Sequence, residues 1–434
     1  MQTHARQIIN LGRMGLAQWL VILVTMGLNA MDGFDVLAIS FASPGISHDW
    51  GVDKATLGWI LSMELLGMAI GSVVLGGFAD RFGRRPTVLG CLVAMAIGMH
   101  GASVSQDVPQ LLGFRLLTGI GIGGVLPCIN ALASEFSNLR WRSFAMSLMV
   151  IGYPLGGVLG GLVARSILGT GGWQGVFHTG ALATAAFLPV VWILVPESVV
   201  FLDRRRAGAA LEQINRTLRR LGQEAATCLS EVEPAKTRHS FAELLRPAYL
   251  ATTVIVTAAY FAHITSFYFI LKWIPKMVVD LGFEPKVAAG VLTWANVGGA
   301  LGGALFGLVV HRFGIRRSTT VVLLGGAGMV AWFGIGPHGL SQLTVTVAIS
   351  GIFNNAAIAG LYMLFATVYP TELRATGTGF AVGFGRGGAA LAPVLAGVLF
   401  QIGLPVSVVA PIMAGGSLLA AALLVLLARR SNLV

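Results

Sequence analysis

Charge is scarce in this sequence. Only 11% of its 434 residues are Asp, Glu, Lys or Arg, against about 25% in an ordinary soluble domain. With 55% hydrophobic residues and a mean hydropathy of +0.80, most of the surface must be solvated by lipid, which excludes a soluble enzyme. Cysteine is scarcer still. Cys91, Cys128 and Cys228 are scattered without metal-ligand spacing, so neither a metal site nor a disulfide framework is expected. There is no His-x-x-x-His and no paired Asp-rich motif, so a membrane-bound metalloenzyme lacks its constellation and no cofactor is expected. Neither the tails nor any loop is large enough for a signalling domain. Proline is sparse, at 16, beside 58 glycines, and glycine in membrane helices lets backbones approach closely.

What is present is a series of apolar windows long enough to cross a bilayer. Twelve are read, near 17–42, 56–79, 86–105, 109–133, 144–168, 174–195, 249–274, 287–310, 318–336, 341–366, 376–399 and 406–428. Arg6 and Arg13 before the first run could mimic a secretion signal. The run continues past Asp35 to about Ile46 and more spans follow, so it reads as the first transmembrane helix. The gap at 196–248 holds "DRRRAGAALEQINRTLRRLG" and no membrane-length run. The expected organisation is an N-terminal six-helix bundle at 1–195, a cytoplasmic linker at 196–248 and a C-terminal six-helix bundle at 249–434.

The formal charge of +11 invites a nucleic-acid partner, but the positions of the basic residues argue otherwise. With the N-terminus inside, 22 of the 29 Lys and Arg fall on the cytoplasmic side and 5 on the outer side. Arg115 and Arg386 lie within helices. This is the positive-inside asymmetry, and it puts both termini in the cytoplasm.

The two halves repeat. "GGFADRFGRR" (76–85) and "GLVVHRFGIRR" (307–317) follow the second and eighth spans. "SEFSNLRWRSF" (134–144) and "YPTELRATGTGF" (369–380) follow the fourth and tenth. Two parallel six-helix halves are a transporter architecture, with substrate between them near mid-membrane. "GGFADRFGRRP" resembles the signature loop of the major facilitator superfamily. With "DGFDVLAIS", "RLLTGIGIGGVLP", "PES" (196–198) and "PTELRATGTGF", nearly the whole chain resembles that superfamily's aromatic acid:proton symporters. The resemblance implies an all-α integral membrane protein with the major facilitator fold. It further implies a symporter, not an enzyme, that imports a small aromatic carboxylate with protons across the bacterial inner membrane, as a monomer. Another organic anion, such as muconate, and a sugar are the alternative substrates.

A carboxylate at bilayer depth costs roughly 2.5 kcal/mol or more, so the ionisable residues inside the spans are the candidates for chemistry. Asp32 and Asp35 lie roughly 22–27 Å up the first span, and Arg115 roughly 9 Å down the fourth from the other side. In a core about 30 Å thick these depths nearly agree. Both helices line the cavity in the resembled fold, so an ion pair is expected. Desolvation raises an aspartate pKa and a guanidinium lowers it; opening and closing the cavity changes both. Asp35 is expected to carry the proton, because it aligns with the sugar-porter aspartate. Asp32 assists or carries a second, and Arg115 is the fixed countercharge. Glu64, in "LSMELLGMAIG", joins this coupling set with the least support; it can pair with Arg115 or a lysine, or stay protonated.

For the substrate, Arg386 in "GFAVGFGRGGAALAP" offers a guanidinium that grips a carboxylate and stacks on rings. Tyr260, His263, Phe267 and Tyr268 in the seventh span offer aromatic faces with polar tips. Asn130, Asn354, Asn355 and Tyr362 are further polar candidates, though asparagine also commonly bonds helix to helix. Lys272, Trp273 and Lys276 lie near the outer interface and are read as anchors that snorkel, with attraction of anions the alternative for Lys272. A cytoplasmic gate is expected from Asp80, Arg81, Gly83, Arg84 and Arg85, with Glu135 and Arg142, and from Glu372 and Arg374 in the second half. There His311 stands where the resembled family usually shows an acid.

Overall fold

The computed structural model describes residues 4–205, 209–229, 241–336 and 339–431, without the side chains of 241, 242, 371, 372, 375 and 429–431. Twelve helices among these are long and apolar enough to cross a membrane. In chain order they are α1 (Leu16–Trp50), α2 (Lys54–Phe82), α3 (Arg84–Ser103), α4 (Val108–Glu135), α5 (Arg142–Ile167) and α6 (Gly172–Leu194). Then come α7 (Pro247–Asp280), α8 (Pro285–Phe313), α9 (Ile315–Ile335), α10 (Leu340–Val368), α11 (Thr371–Gln401) and α12 (Val406–Ser431). Each matches one of the twelve apolar windows. The chain is thus an all-helical multi-pass membrane protein, because only closed intra-segment hydrogen bonding satisfies a backbone in hydrocarbon.

Local chemistry sets the helix ends. Asp107 caps α4 by accepting from the Gln110 N–H at 2.8 Å, and α7 opens on Pro247, whose missing N–H costs nothing in the first turn. The repeated loop is a sharp turn in both halves. Gly83 between α2 and α3 has φ 110°, and Gly314 between α8 and α9 has φ 80°. Only glycine adopts such angles freely, so the two "R-F-G" turns are the same device used twice.

The helices form two compact units: Met1–Asp35, Gly67–Gly156 and Phe177–Lys236 in one, and Val36–Leu66, Gly157–Val176 and Thr237–Val434 in the other. The division passes through α1, α2, α5 and the first turns of α6. In the first unit, small residues draw helices together. A Cβ at Gly33 of α1 would overlap the Tyr153 carbonyl oxygen of α5, and one at Gly71 of α2 would overlap that of Ile120 on α4. The segment after α6 folds onto this unit. Ile214 and Leu218 of the short helix Ala210–Arg220 are buried, and Gln223 donates to the Arg13 carbonyl at 2.8 Å and the Gln18 amide oxygen at 3.0 Å.

In the second unit α8 and α10 pack by the same means: a Cβ at Gly298 would overlap the Ala348 carbonyl. The far ends of α1, α2 and α5 belong here, against C-terminal helices. The Lys54 N–H at the start of α2 donates to Gln401 Oε1 at the end of α11, 3.1 Å away. A Cβ at Gly58 would lie 2.6 Å from the Pro393 carbonyl oxygen of α11.

Candidate functional site

Within the first unit, Asp32 and Asp35 on α1 and Arg115 on α4 are all buried, at 1%, 0% and 0% exposure. Gly33 between the two acids is what lets α5 lie against this stretch. Arg115 Nη2 donates to the main-chain carbonyl of Asp35 at 3.0 Å, and Nη1 lies 3.0 Å from Met99 Sδ. Its guanidinium carbon lies over the Phe177 ring of α6, 5.2 Å from the centroid. A Cβ at Gly180 of α6 would be 3.4 Å from Asp35 Oδ1, so that carboxylate rests against α6. The structure therefore brings together the helices carrying the acids and the permanent cation, and anchors the cation to the backbone that carries Asp35. Met99 and Phe177 had no signal in the sequence, being ordinary apolar residues in apolar helices.

The second unit holds Glu64 and Lys272, both fully buried. Lys272 Nζ lies 3.6 Å from Glu64 Oε2 and donates to the Val36 main-chain carbonyl of α1. Glu64 takes the lysine among the partners expected for it. The reading of Lys272 and Trp273 as interfacial anchors is corrected: α7 continues to Asp280, two turns beyond, and both side chains are buried in the protein interior. Lys276 pairs instead with Asp280 one turn on.

The aromatic candidates also lie in this unit. Tyr260 is buried, with its hydroxyl 3.1 Å from that of Tyr362 on α10. Phe365 meets the Tyr260 ring edge-on at a centroid distance of 5.5 Å. A Cβ at Gly385 of α11 would overlap the Tyr260 ring, so the ring lies on glycine backbone next to Arg386. Arg386 is half-buried and follows Gly385 directly on α11. Phe267 is buried and half-buried Tyr268 stands edge-on to it at 5.2 Å.

His263 is fully buried, and both ring nitrogens are engaged. Nε2 is 3.2 Å from the Asn354 carbonyl and Nδ1 is 2.9 Å from Ser417 Oγ. A carbonyl only accepts, so Nε2 carries the proton and Nδ1 of the neutral ring accepts from the serine. The asparagines bond one turn back along their own helices: Asn354 to the Ser350 carbonyl at 2.8 Å, Asn355 to Gly351 at 3.2 Å and Asn130 to Leu126 at 2.8 Å. Asn130 is exposed.

The signature loop belongs to the first unit. Arg84 is buried. It pairs with Asp80 at 3.2 Å and Glu135 at 3.6 Å, and donates to the Ala79 carbonyl at 2.9 Å. Arg85 donates to the Trp192 carbonyl and lies 4.7 Å over its ring. Arg81 is exposed over Phe82. Arg142 ties Asn10 at 2.6 Å and the Ser137 carbonyl at 3.1 Å. Glu197, absent from the sequence candidates although its "PES" triplet is noted there, accepts from the N–H groups of Arg84 at 2.9 Å, Arg85 at 3.4 Å and Ser198 at 2.8 Å. It caps the positive end of α3. Ser198 then donates to Glu135. Burial holds the Glu197 carboxyl above its ordinary pKa, although those N–H groups and Arg84 pull it down. In the second half Arg374 is exposed, and the Glu372 side chain lies outside the described residues.

The sequence model of the Major Facilitator Superfamily matches residues 25–333 and 256–433. The gallate transporter of Pseudomonas putida is 31% identical, over 89% of this chain and 86% of its own. The 3-(3-hydroxy-phenyl)propionate transporter of Escherichia coli K12 is 30% identical, over 95% and 96%. The 4-hydroxybenzoate transporter of Pseudomonas aeruginosa is 29% identical, over 89% and 87%. Among solved structures, a D-xylose-proton symporter superposes with a TM-score of 0.70 at 18% identity, covering 94% of this chain and 97% of that one. At that identity the likeness shows a shared fold.

Proposed function

Because the chain belongs to the major facilitator superfamily, in its aromatic-acid transporter family, we propose that it is a proton-coupled symporter that imports a small aromatic carboxylate by alternating access. The observation that carries the reading is the α1–α4 cluster: two acids buried in a membrane helix, with Arg115 bonded to the backbone of one of them. Intramembrane acids mark proton or ion paths, and an arginine cannot give up its proton. Asp35 carries the coupled proton, and Asp32 assists or carries a second. Arg115 is the countercharge, and Glu64 joins the set through Lys272.

Arg386 receives the substrate carboxylate. Tyr260 and Tyr362 offer ring faces and hydroxyls beside it, with Phe267 and Tyr268 on the same helix as Tyr260. His263 ties α7 to α10 and α12 around them, and Asn354 and Asn355 of α10 and Asn130 of α4 are further polar contacts for the substrate. The Asp80, Arg81, Gly83, Arg84, Arg85, Glu135 and Arg142 cluster forms the cytoplasmic gate, with Glu372 and Arg374 as its counterpart. The names of the relatives support the substrate class. The asymmetry of basic residues supports termini in the cytoplasm and a cytoplasmic linker at 196–248 between two six-helix halves; residence in the inner membrane as a monomer follows from the family reading alone.

One proton moving with a monovalent carboxylate carries no net charge, so the pH gradient alone supplies about 1.4 kcal/mol per unit. A second proton would add about 2.3 kcal/mol per 100 mV of membrane potential. The test is uptake into proteoliposomes loaded at alkaline pH and diluted into acid, with labelled 4-hydroxybenzoate or benzoate. Accumulation should follow the gradient, and Asp35→Asn should retain exchange but lose accumulation. Uptake indifferent to the gradient defeats the symport reading; gradient-driven accumulation by Asp35→Asn defeats the assignment of the proton.

A further inference from the structure

Lys272 ties three helices with one ammonium. From α7 it pairs with Glu64 of α2 and donates to the Val36 carbonyl of α1, with no part of either ionic side chain exposed. The rest of the seam around it is of another kind. At Gly58 and Gly397, α2 and α11 meet backbone to backbone. At Gly161 of α5 a Cβ would overlap the Thr293 hydroxyl of α8. Trp273 donates to the Pro393 carbonyl at 3.3 Å. Glycine contacts of this sort separate without leaving a charge stranded. The ion pair does not.

We propose that Lys272 is a positioning residue of the transport cycle, and that its pair with Glu64 is a releasable latch holding the ends of α1 and α2 on α7. This rests on the alternating-access reading; on the proposed topology, the latched end faces outside. The physical reason lies in the energy of a buried pair. Each ion loses several kcal/mol of hydration on burial, and the mutual attraction roughly repays it, so such a pair often contributes little net stability compared with apolar side chains of the same volume. A seam closed in this way lies close in free energy to the opened seam, where both charges regain water. An apolar seam of equal size would stay shut. Removing one partner is different: the surviving charge loses the attraction of the pair but stays buried in the closed state, which favours opening.

The latch can be read without substrate, so its failure is separable from failure of the aromatic-acid reading. Ser62, fully buried on α2 two residues before Glu64, becomes the reporter as Ser62→Cys, in protein whose Cys91, Cys128 and Cys228 are replaced by alanine. A membrane-impermeant maleimide is added from the outer side and the labelling rate measured. Glu64→Gln and Lys272→Met should each label about tenfold faster than the parent. The charge swap Glu64→Lys with Lys272→Glu should return to within about threefold. The doubly apolar Glu64→Leu with Lys272→Met removes both charges of the pair; it should keep the parent's thermal midpoint, label no faster than the parent and transport at least tenfold more slowly. Equal labelling of the single variants and the parent overturns the latch. So does full transport by the doubly apolar variant, which would leave the pair a packing feature.

Discussion

Arg115 donates to the main-chain oxygen of Asp35 at 3.0 Å. The bond fixes the cation to α1 whatever the protonation state of the side chain, so the countercharge stays in place while the acid titrates. The same guanidinium reaches Met99 and lies over Phe177. A planar fork serves all three directions; an ammonium is a point charge and cannot. Arg115→Lys should therefore fail to substitute. Loss of one charge-assisted bond costs about 1.5–3 kcal/mol, or roughly tenfold or more in rate. Initial uptake rates in proteoliposomes, with the melting temperature measured in parallel, check this. A lysine variant that transports as well as the parent would show that charge alone suffices.

Gly33 separates the two acids of α1 because α5 has to come close. A Cβ there meets the Tyr153 carbonyl oxygen, which is backbone and cannot rotate away. Gly33→Ala should push α1 and α5 apart at a cost of about 1–3 kcal/mol, the usual range for overpacking. Its thermal midpoint in detergent should fall, whereas Gly76→Ala, where a Cβ meets nothing within 4 Å, should not show that loss.

The Tyr260 ring and the Tyr260 hydroxyl can be separated in the same manner. Tyr260→Phe keeps the ring on Gly385 and deletes the 3.1 Å contact with Tyr362, a hydrogen bond worth about 0.5–1.5 kcal/mol. Binding of hydroxylated ring acids should weaken relative to benzoate by roughly that amount, with the fold intact. Gly385→Ala displaces the ring itself and should weaken both classes together. Titration of purified protein with 4-hydroxybenzoate and benzoate separates the two outcomes; an unchanged preference in Tyr260→Phe would remove the tyrosine pair from the substrate.

The spans were legible because lipid-facing helices need uninterrupted apolar length, and their order alone sets the fold. Their ends were less so. The first window spans 17–42 and its apolar run fades at about Ile46, yet α1 runs to Trp50. A tertiary contact holds the extension, with Trp173 Nε1 donating to Asp49 at 2.9 Å. Asp32, Asp35 and Arg115 were legible because charge in an apolar run is expensive and so conspicuous. Lys272 was conspicuous too, but "LKWIP" with a tryptophan beside it reads as an interface. Only the true length of α7 and the position of Glu64 on another helix show it to be interior. Glu197 gave no such signal: an acid in a polar segment is unremarkable until the fold delivers it to the first N–H groups of α3.

Glu197 also yields a pH dependence whose sign can be worked out. Burial raises its pKa above the ordinary 4.5, outweighing the N–H groups of Ser198, Arg84 and Arg85 and the Arg84 charge, which favour the anion. Between the unfolded and folded values the native protein holds the extra proton, so stability contributed by this group falls as pH rises. The contribution is fully present below about 4.5 and is lost as pH climbs through the folded value. Glu197→Gln cannot titrate and removes the dependence. The stability of the parent relative to Glu197→Gln, from thermal midpoints in detergent between about pH 4 and pH 7, should therefore be greatest at the acid end and decline towards neutrality. A relative stability that rises with pH would mean that the three N–H groups and the guanidinium outweigh burial, making the carboxylate a true anionic cap of α3.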